Sequence, residues 1–317
     1  MKRVLIAFCL ALSMVLVLPP GSLAVSVGSP YKSGSLLIFP LINVSGDNDT
    51  EISISNDFYY GVDVACRYRS NSDEVAGVNF FIGGRETVWF SVKTGEGSIP
   101  SPLVIGEKGE LKCWAVDASG AEQISWNYLQ GFAEIIDLGP EGLAWGYSSW
   151  NFAADQPRGK AVGVPGEIKL SGSPGEYDAM PRSLSFNVSK TVTEAKPTLI
   201  VGKQDLRQDR DNTYSKAKFS YTRISTSSTE CIENMVQSKI RQTLLGSFKV
   251  QGIASTVCDK QFRKPYGTTQ NAPLLGVLEA RRGKAVFGIM PVGVGFDGSG
   301  YIRWDAADAP VPQVVGR

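Results

Sequence analysis

The chain has 317 residues, with 32 Lys and Arg against 31 Asp and Glu, 43% hydrophobic residues and no histidine. Near-neutral, interspersed charge excludes the electrostatic footprint of a nucleic-acid or anionic-membrane binder, and the apolar content excludes a disordered chain. The missing imidazole excludes Ser-His-Asp and Cys-His catalysis, His-ligated metals and a histidine pH switch, leaving carboxylate-pair hydrolysis, Ser-Lys chemistry or binding without catalysis.

Lys2 and Arg3 precede an apolar run over residues 4–18, broken only by Ser13. Pro19 and Pro20 end it, and Ser22-Leu23-Ala24 offers small residues for cleavage. The run is shorter than the roughly 20 residues of a membrane-spanning helix. Residues 1–24 therefore read as a cleaved signal peptide, which predicts export to the periplasm, cell surface or extracellular space. No later segment reaches spanning length, so the mature chain is expected to have no transmembrane segment.

Of five cysteines, Cys9 would leave with the signal peptide. Cys66, Cys113, Cys231 and Cys258 remain, an even set that reads as two disulfides in an exported chain. Pairing Cys66 with Cys113 and Cys231 with Cys258 keeps each bridge within one half of the chain. Such loops would contribute about 4 and about 3.5 kcal/mol, respectively. Buried thiols are the alternative. Zinc is not expected, since close Cys pairs are lacking.

Period-2 alternation dominates the first half. Val62, Val64, Cys66 and Tyr68 share one strand face, and Asp63, Ala65, Arg67 and Arg69 the other. Leu111, Cys113 and Ala115 likewise share a face, placing both cysteines on apolar sides. Further strands are predicted over 35–43, 51–55, 78–82, 87–92, 123–128 and 132–137, separated by Gly-containing turns. Many short strands predict an antiparallel β-sandwich, immunoglobulin-like by analogy only.

Gly and Pro then crowd residues 159–182, a candidate linker or long loop. Strands are predicted over 183–188, 197–201, 216–224, 247–253, 274–280 and 285–289. Glycine-rich residues around 295 read as a hairpin leading into a last strand at 301–304. One short helix is expected between the C-terminal cysteines, where Ile232, Met235, Val236, Ile240 and Leu244 recur at helical spacing. The predicted organisation is thus two mainly β, sandwich-like domains, 25–158 and 183–308, with a loose tail over 309–317.

Three runs in the second half, Gly202-Lys203-Gln204-Asp205-Leu206-Arg207-Gln208-Asp209-Arg210-Asp211, Phe248-Lys249-Val250-Gln251-Gly252-Ile253-Ala254-Ser255-Thr256-Val257-Cys258 and Pro273-Leu274-Leu275-Gly276-Val277-Leu278, carry a resemblance. The chain there resembles a group of exported bacterial proteins of unassigned function. That resemblance implies export and a bacterial source, and carries over no catalytic residue.

Trp145, Tyr147, Trp150 and Phe152 crowd a short segment, with Trp145 and Tyr147 on one strand face and Trp150 and Phe152 on the other. Exposed, Trp145, Tyr147 and Trp150 would stack on sugars or anchor a protein partner; otherwise they fill the core. Tyr59 and Tyr60 would extend such a surface. Asp205, Asp209, Asp211 and Asn212 offer oxygen ligands, but Arg207 and Arg210 between them repel a cation. In the EF-hand-like run after Gly295, Ala306 stands where a bidentate Glu is needed, so no metal is expected. Glu134 and Asp137 are acids that a carboxylate-pair hydrolase would draw on.

No cofactor is expected. The function predicted is non-catalytic binding or a structural role at the bacterial envelope or outside the cell, in adhesion or surface assembly. The expected partner is a protein or glycan. A carbohydrate-binding module and a His-independent hydrolase are the two alternatives.

Overall fold

The computed structural model describes residues 25–70, 75–99, 108–187, 194–201, 203–205, 247–251, 274–282, 284–291, 293–298 and 300–303. Among these the protein is mainly β, built of sheets whose strands pair antiparallel with one parallel exception, and with no helix. Cys231, Cys258, the predicted helix, the signal peptide, the tail and the predicted strand over 216–224 all lie outside the described residues.

The first half forms nine strands: β1 (Leu36–Asn43), β2 (Asn48–Asn56), β3 (Val62–Ser70), β4 (Val75–Ile82), β5 (Thr87–Ser91), β6 (Lys108–Val116), β7 (Leu129–Asp137), β8 (Ala144–Ser148) and β9 (Trp150–Phe152). One sheet runs β4-β3-β6-β1-β9 and another β5-β2-β7-β8. Leu37 and Phe39 of the first and Ile52, Ile54, Ala133 and Ile135 of the second belong to one hydrophobic core. The alternation read from sequence decides this: each strand sends every second, apolar side chain into the shared interior. Gly131 on the inner side of β7 leaves room for Phe39, since a Cβ there would stand 2.5 Å from the phenyl ring. Gly131→Val is therefore expected to destabilise by about 1–3 kcal/mol, measured by chemical denaturation.

The predicted strand over 123–128 does not form. Gln123 and Ile124 make single bridges, to Val116 and Ala161. The segment's backbone bonds are divided between separate stretches, Ile124 N–H to the Ala115 carbonyl and Ser125 N–H to the Lys160 carbonyl, while Gln123 Nε2 donates to the Val162 and Val164 carbonyls, both at 2.6 Å.

Nine further strands follow: β10 (Glu167–Leu170), β11 (Met180–Asn187), β12 (Glu194–Val201), β13 (Lys203–Asp205), β14 (Ser247–Gln251), β15 (Leu274–Arg282), β16 (Ala285–Ile289), β17 (Gly293–Gly298) and β18 (Gly300–Arg303). They make three small sheets, β10-β18-β13, β14-β11-β17 and β12-β15-β16. The Gly/Pro-rich stretch thus carries a strand. It is also bonded back to the first half, through Gly159 N–H to the Ser125 carbonyl and Asp178 N–H to the Ala153 carbonyl. The predicted glycine-rich hairpin is not one: β17 pairs with β11 while β18 pairs with β10 and β13. Turn chemistry marks where a chain reverses, not which strand it then joins.

Cys66 and Cys113 form a disulfide with their Cα atoms 4.1 Å apart. They are directly opposed residues of the neighbouring strands β3 and β6. The bridge lies within one sheet, unlike the immunoglobulin bridge, which joins two sheets.

The two sheets differ on their other sides. That side of the five-stranded sheet is buried: Leu36, Ile38, Ala65, Trp114, Trp150 and Phe152 are all covered, and β12 and β15 lie against β1. Even its charged residues are inside. Lys112 pairs with Glu110, and its ammonium is pushed well below the usual lysine range by burial and by Arg69. Arg67 Nη1 donates to the Cys66 carbonyl and to Asn79 Oδ1, both at 2.8 Å, and burial pushes its guanidinium down to about 10. The four-stranded sheet instead has half-buried or exposed residues along its outer side, apart from Asp49 and Ser91, which are buried at one end.

Candidate functional site: an open sheet face

The aromatic residues singled out in the sequence are not a surface. Trp145, Tyr147 and Trp150 are 9%, 2% and 0% exposed, so none offers a ring face on which a sugar could stack. The alternation itself is as read, and its consequence follows from where the chain crosses over. β8 belongs to the four-stranded sheet and β9 to the five-stranded one. Trp145 and Tyr147 therefore enter the shared core, and Trp150 and Phe152 enter the covered side of the other sheet.

Each has a structural partner. Tyr147 Oη donates to the Leu41 carbonyl at 2.5 Å and accepts from the Leu41 N–H at 3.1 Å. Leu41 sits where the pairing of β1 with β6 shifts register, between Phe39 and Ile42, so the phenol satisfies the backbone groups that this irregularity frees. Trp150 Nε1 donates to the Gly276 carbonyl of β15 at 3.0 Å. Gly288 of β16 approaches the Trp145 ring.

Exposed rings lie elsewhere. On the outer side of β5-β2-β7-β8, Trp89 and Phe132 are 42% and 46% exposed. Ser53 pairs in register with both, Trp89 on one side and Phe132 on the other. Neighbouring strands are spaced at about 4.8 Å, so the two backbones are roughly 10 Å apart with a small residue between. The Phe132 ring lies across Gly146 of β8, where any side chain would collide with it.

Along the same side, Glu51 is directly opposite Glu134, and Ser55 Oγ lies 2.8 Å from Thr87 Oγ1. The positions on this side are Asp49, Glu51, Ser53 and Ser55 of β2, Thr87, Trp89 and Ser91 of β5, Gln130, Phe132, Glu134 and Ile136 of β7, and Ala144, Gly146 and Ser148 of β8. None is Lys or Arg.

Asp49 is engaged inside the sheet end, accepting from Ser91 Oγ at 2.6 Å and from the Lys93 N–H at 3.0 Å. Burial, then Glu134, Asp49 and Glu96 in turn, raise the Glu51 carboxyl above its ordinary range. A raised carboxyl opposes folding once it ionises. Glu51→Gln is therefore expected to stabilise the protein modestly at neutral pH. That gain should vanish in acid, where the native carboxyl is also protonated. Thermal unfolding across pH measures both.

A second aromatic group adjoins the lower end of this face. Phe58 stacks on Tyr59 and Tyr128, with centroids 4.4 and 4.5 Å apart, and meets Trp126 edge-on at 5.5 Å. The Arg158 guanidinium lies 4.1 Å over Phe58. Tyr59 and Tyr60 are each 62% exposed, so these two rings stand at the surface as the sequence suggested. Gln130 of the open face reaches Asp57 beside them, at 2.9 Å.

Sequence patterning predicted strands over 87–92 and 132–137 but did not single out Trp89 or Phe132. Alternation within each strand is the signal that could have put them on one face, and nothing local shows that this side stays uncovered. No group of three or more metal-ligating side chains exists among the described residues. No helix of the described residues is long and apolar enough to cross a membrane.

No family model matches the sequence, and no curated protein matches it. Among solved structures the chain is similar to the crystal structure of Thermotoga maritima 1070. That likeness covers 38% of this chain and 95% of that one, at 9% identity and a TM-score of 0.29, and carries no argument about fold or function.

Proposed function

We propose that this is an exported, non-catalytic binding protein of the bacterial envelope or extracellular space, serving adhesion or surface assembly. Its two first-half sheets act as a sandwich-like body, stapled by the Cys66–Cys113 bridge, and the outer side of β5-β2-β7-β8 is the docking face. One observation carries this reading: two large rings, Trp89 and Phe132, stand exposed on a sheet side that nothing among the described residues covers. Exposed aromatic surface of this kind marks interaction sites. A buried disulfide supports maturation in an oxidising compartment.

The carbohydrate-binding reading moves with the rings. It no longer rests on Trp145, Tyr147 and Trp150, and is supported at Trp89 and Phe132, with Ser53, Ser55, Thr87 and Gln130 as hydrogen-bonding groups beside them. The hydrolase reading has less support. Glu51 and Glu134 emerge side by side from neighbouring strands on an open face, whereas glycoside hydrolysis needs two carboxyls flanking the scissile bond.

Cross-linking with mass spectrometry on intact cells tests the proposal. Cross-links from the docking face to an envelope component are expected in the native protein. They should be lost in Trp89→Ala/Phe132→Ala, with the free energy of unfolding unchanged within about 1 kcal/mol. Unchanged cross-links in the double variant, or a chain found in the cytosol with its cysteines reduced, would refute it.

A further inference from the structure

We infer that the docking face takes a cationic glycan, an oligomer of amino sugars, with pyranose faces against Trp89 and Phe132 and ammonium groups at Glu51 and Glu134. This rests on the docking-face reading above and names its ligand class.

Three features on the face point there. The first is charge. Every ionisable side chain on the outer side of these four strands is a carboxylate, and none is basic. Glu51 and Glu134 make no hydrogen bond or ion pair with any described residue. Glu51 also feels Asp49 on its own strand and Glu96 beyond β5. The nearby cation, Lys93, is turned away, its Nζ donating to the Gly46 carbonyl at 2.6 Å and the Asn48 carbonyl at 3.2 Å. A neutral or anionic ligand would leave this repulsion in place, while an ammonium group would relieve it.

The second feature is the pair of rings two strands apart with Ser53 between, a shallow trough able to receive the apolar C–H side of successive sugar rings. The third separates a sugar from a basic peptide. An extended peptide is recognised chiefly through main-chain hydrogen bonds at a sheet edge. On this face the backbone groups of β2 and β7 are already paired to their neighbours on both sides. What the face offers is side chains: the Glu51 and Glu134 carboxylates, the Ser53 hydroxyl, and Ser55, Thr87 and Gln130, which bond to one another or to Asp57 and keep further hydrogen-bonding capacity. These match a ligand that carries its polar groups around a ring edge.

The test uses the exported protein with its Cys66–Cys113 bridge intact and three probes in isothermal titration. These are a β-1,4-linked glucosamine oligomer, its fully N-acetylated counterpart of equal length, and an oligolysine of equal charge. Binding is expected to be at least tenfold tighter for the amino oligomer than for the acetylated one. Glu51→Gln/Glu134→Gln should remove that preference, and Trp89→Ala/Phe132→Ala should abolish binding of both sugars.

Ser53→Arg, which alters neither ring nor acid, should abolish binding of the amino oligomer by filling the trough with a like charge. Once the sugar amines are fully protonated, binding should weaken as pH falls further, beginning above the ordinary glutamate range because Glu51 protonates early. Equal affinity for the two sugars, tighter binding of oligolysine, or no binding of either sugar would each overturn the inference. In those cases the docking-face reading is still judged separately, by whether the envelope cross-links depend on Trp89 and Phe132.

Discussion

Removing the Cys66–Cys113 bridge is expected to lower the free energy of unfolding by about 4 kcal/mol, the chain-entropy value for a loop of this length. The sequence separation of the two residues is 47, and without the link the unfolded chain regains the freedom of that whole loop. The native contacts change little, because both cysteines already face each other across paired strands. Cys66→Ala/Cys113→Ala in a denaturant titration checks the magnitude.

Burial adds a kinetic expectation. Both residues are 0% exposed, so a thiol reductant cannot reach the sulfurs until β3 and β6 separate. Reduction in native buffer should be slow and should accelerate in step with denaturant. Fast reduction without unfolding would contradict the placement of the bridge in the core.

Tyr147→Phe is expected to cost about 2–4 kcal/mol, far more than an ordinary loss of one hydroxyl. The phenol is both acceptor and donor for the same residue, Leu41, and it is buried. Taking it away strands an N–H and a carbonyl inside the core, each worth about 1–3 kcal/mol when left without a partner. Phenylalanine keeps the ring and its packing, so the loss reports the hydrogen bonds alone. Hydrogen exchange gives the specific signature: the Leu41 amide should lose protection beyond the global change. A variant with native stability and an unchanged Leu41 amide would show that water replaces the phenol.

These two expectations differ in how far the sequence foretold them. Both cysteines were legible as partners because period-2 alternation put each on an apolar strand face. Their placement within a single sheet was not legible, because alternation gives the face of a residue and not the neighbour of its strand. Tyr147 was legible as one of a cluster of aromatics and was read as a possible surface. Its actual role depends on a register shift in β1, more than a hundred residues earlier, which leaves no trace in the local pattern. The strand predicted over 123–128 failed for a related reason: its backbone bonds are shared between separate stretches around Ala115 and Lys160, and alternation does not reveal whether one partner strand runs the whole length of a segment.

By itself the sequence determined the chemistry open to this protein and the two-sidedness of its strands. With no histidine, whole classes of catalysis are closed whatever the fold. The alternation in β2, β3, β6 and β7 sorts side chains into two sets before any contact is known. Only the tertiary structure decided which set meets water. Arg67 and Arg69 alternate on β3 much as Glu51 and Ser53 do on β2, yet the arginines are buried and the β2 side is open. Long-range packing is at work along β1, where strands from the distant second half, β12 and β15, lie against the five-stranded sheet, and burial of a face is set by what comes to cover it.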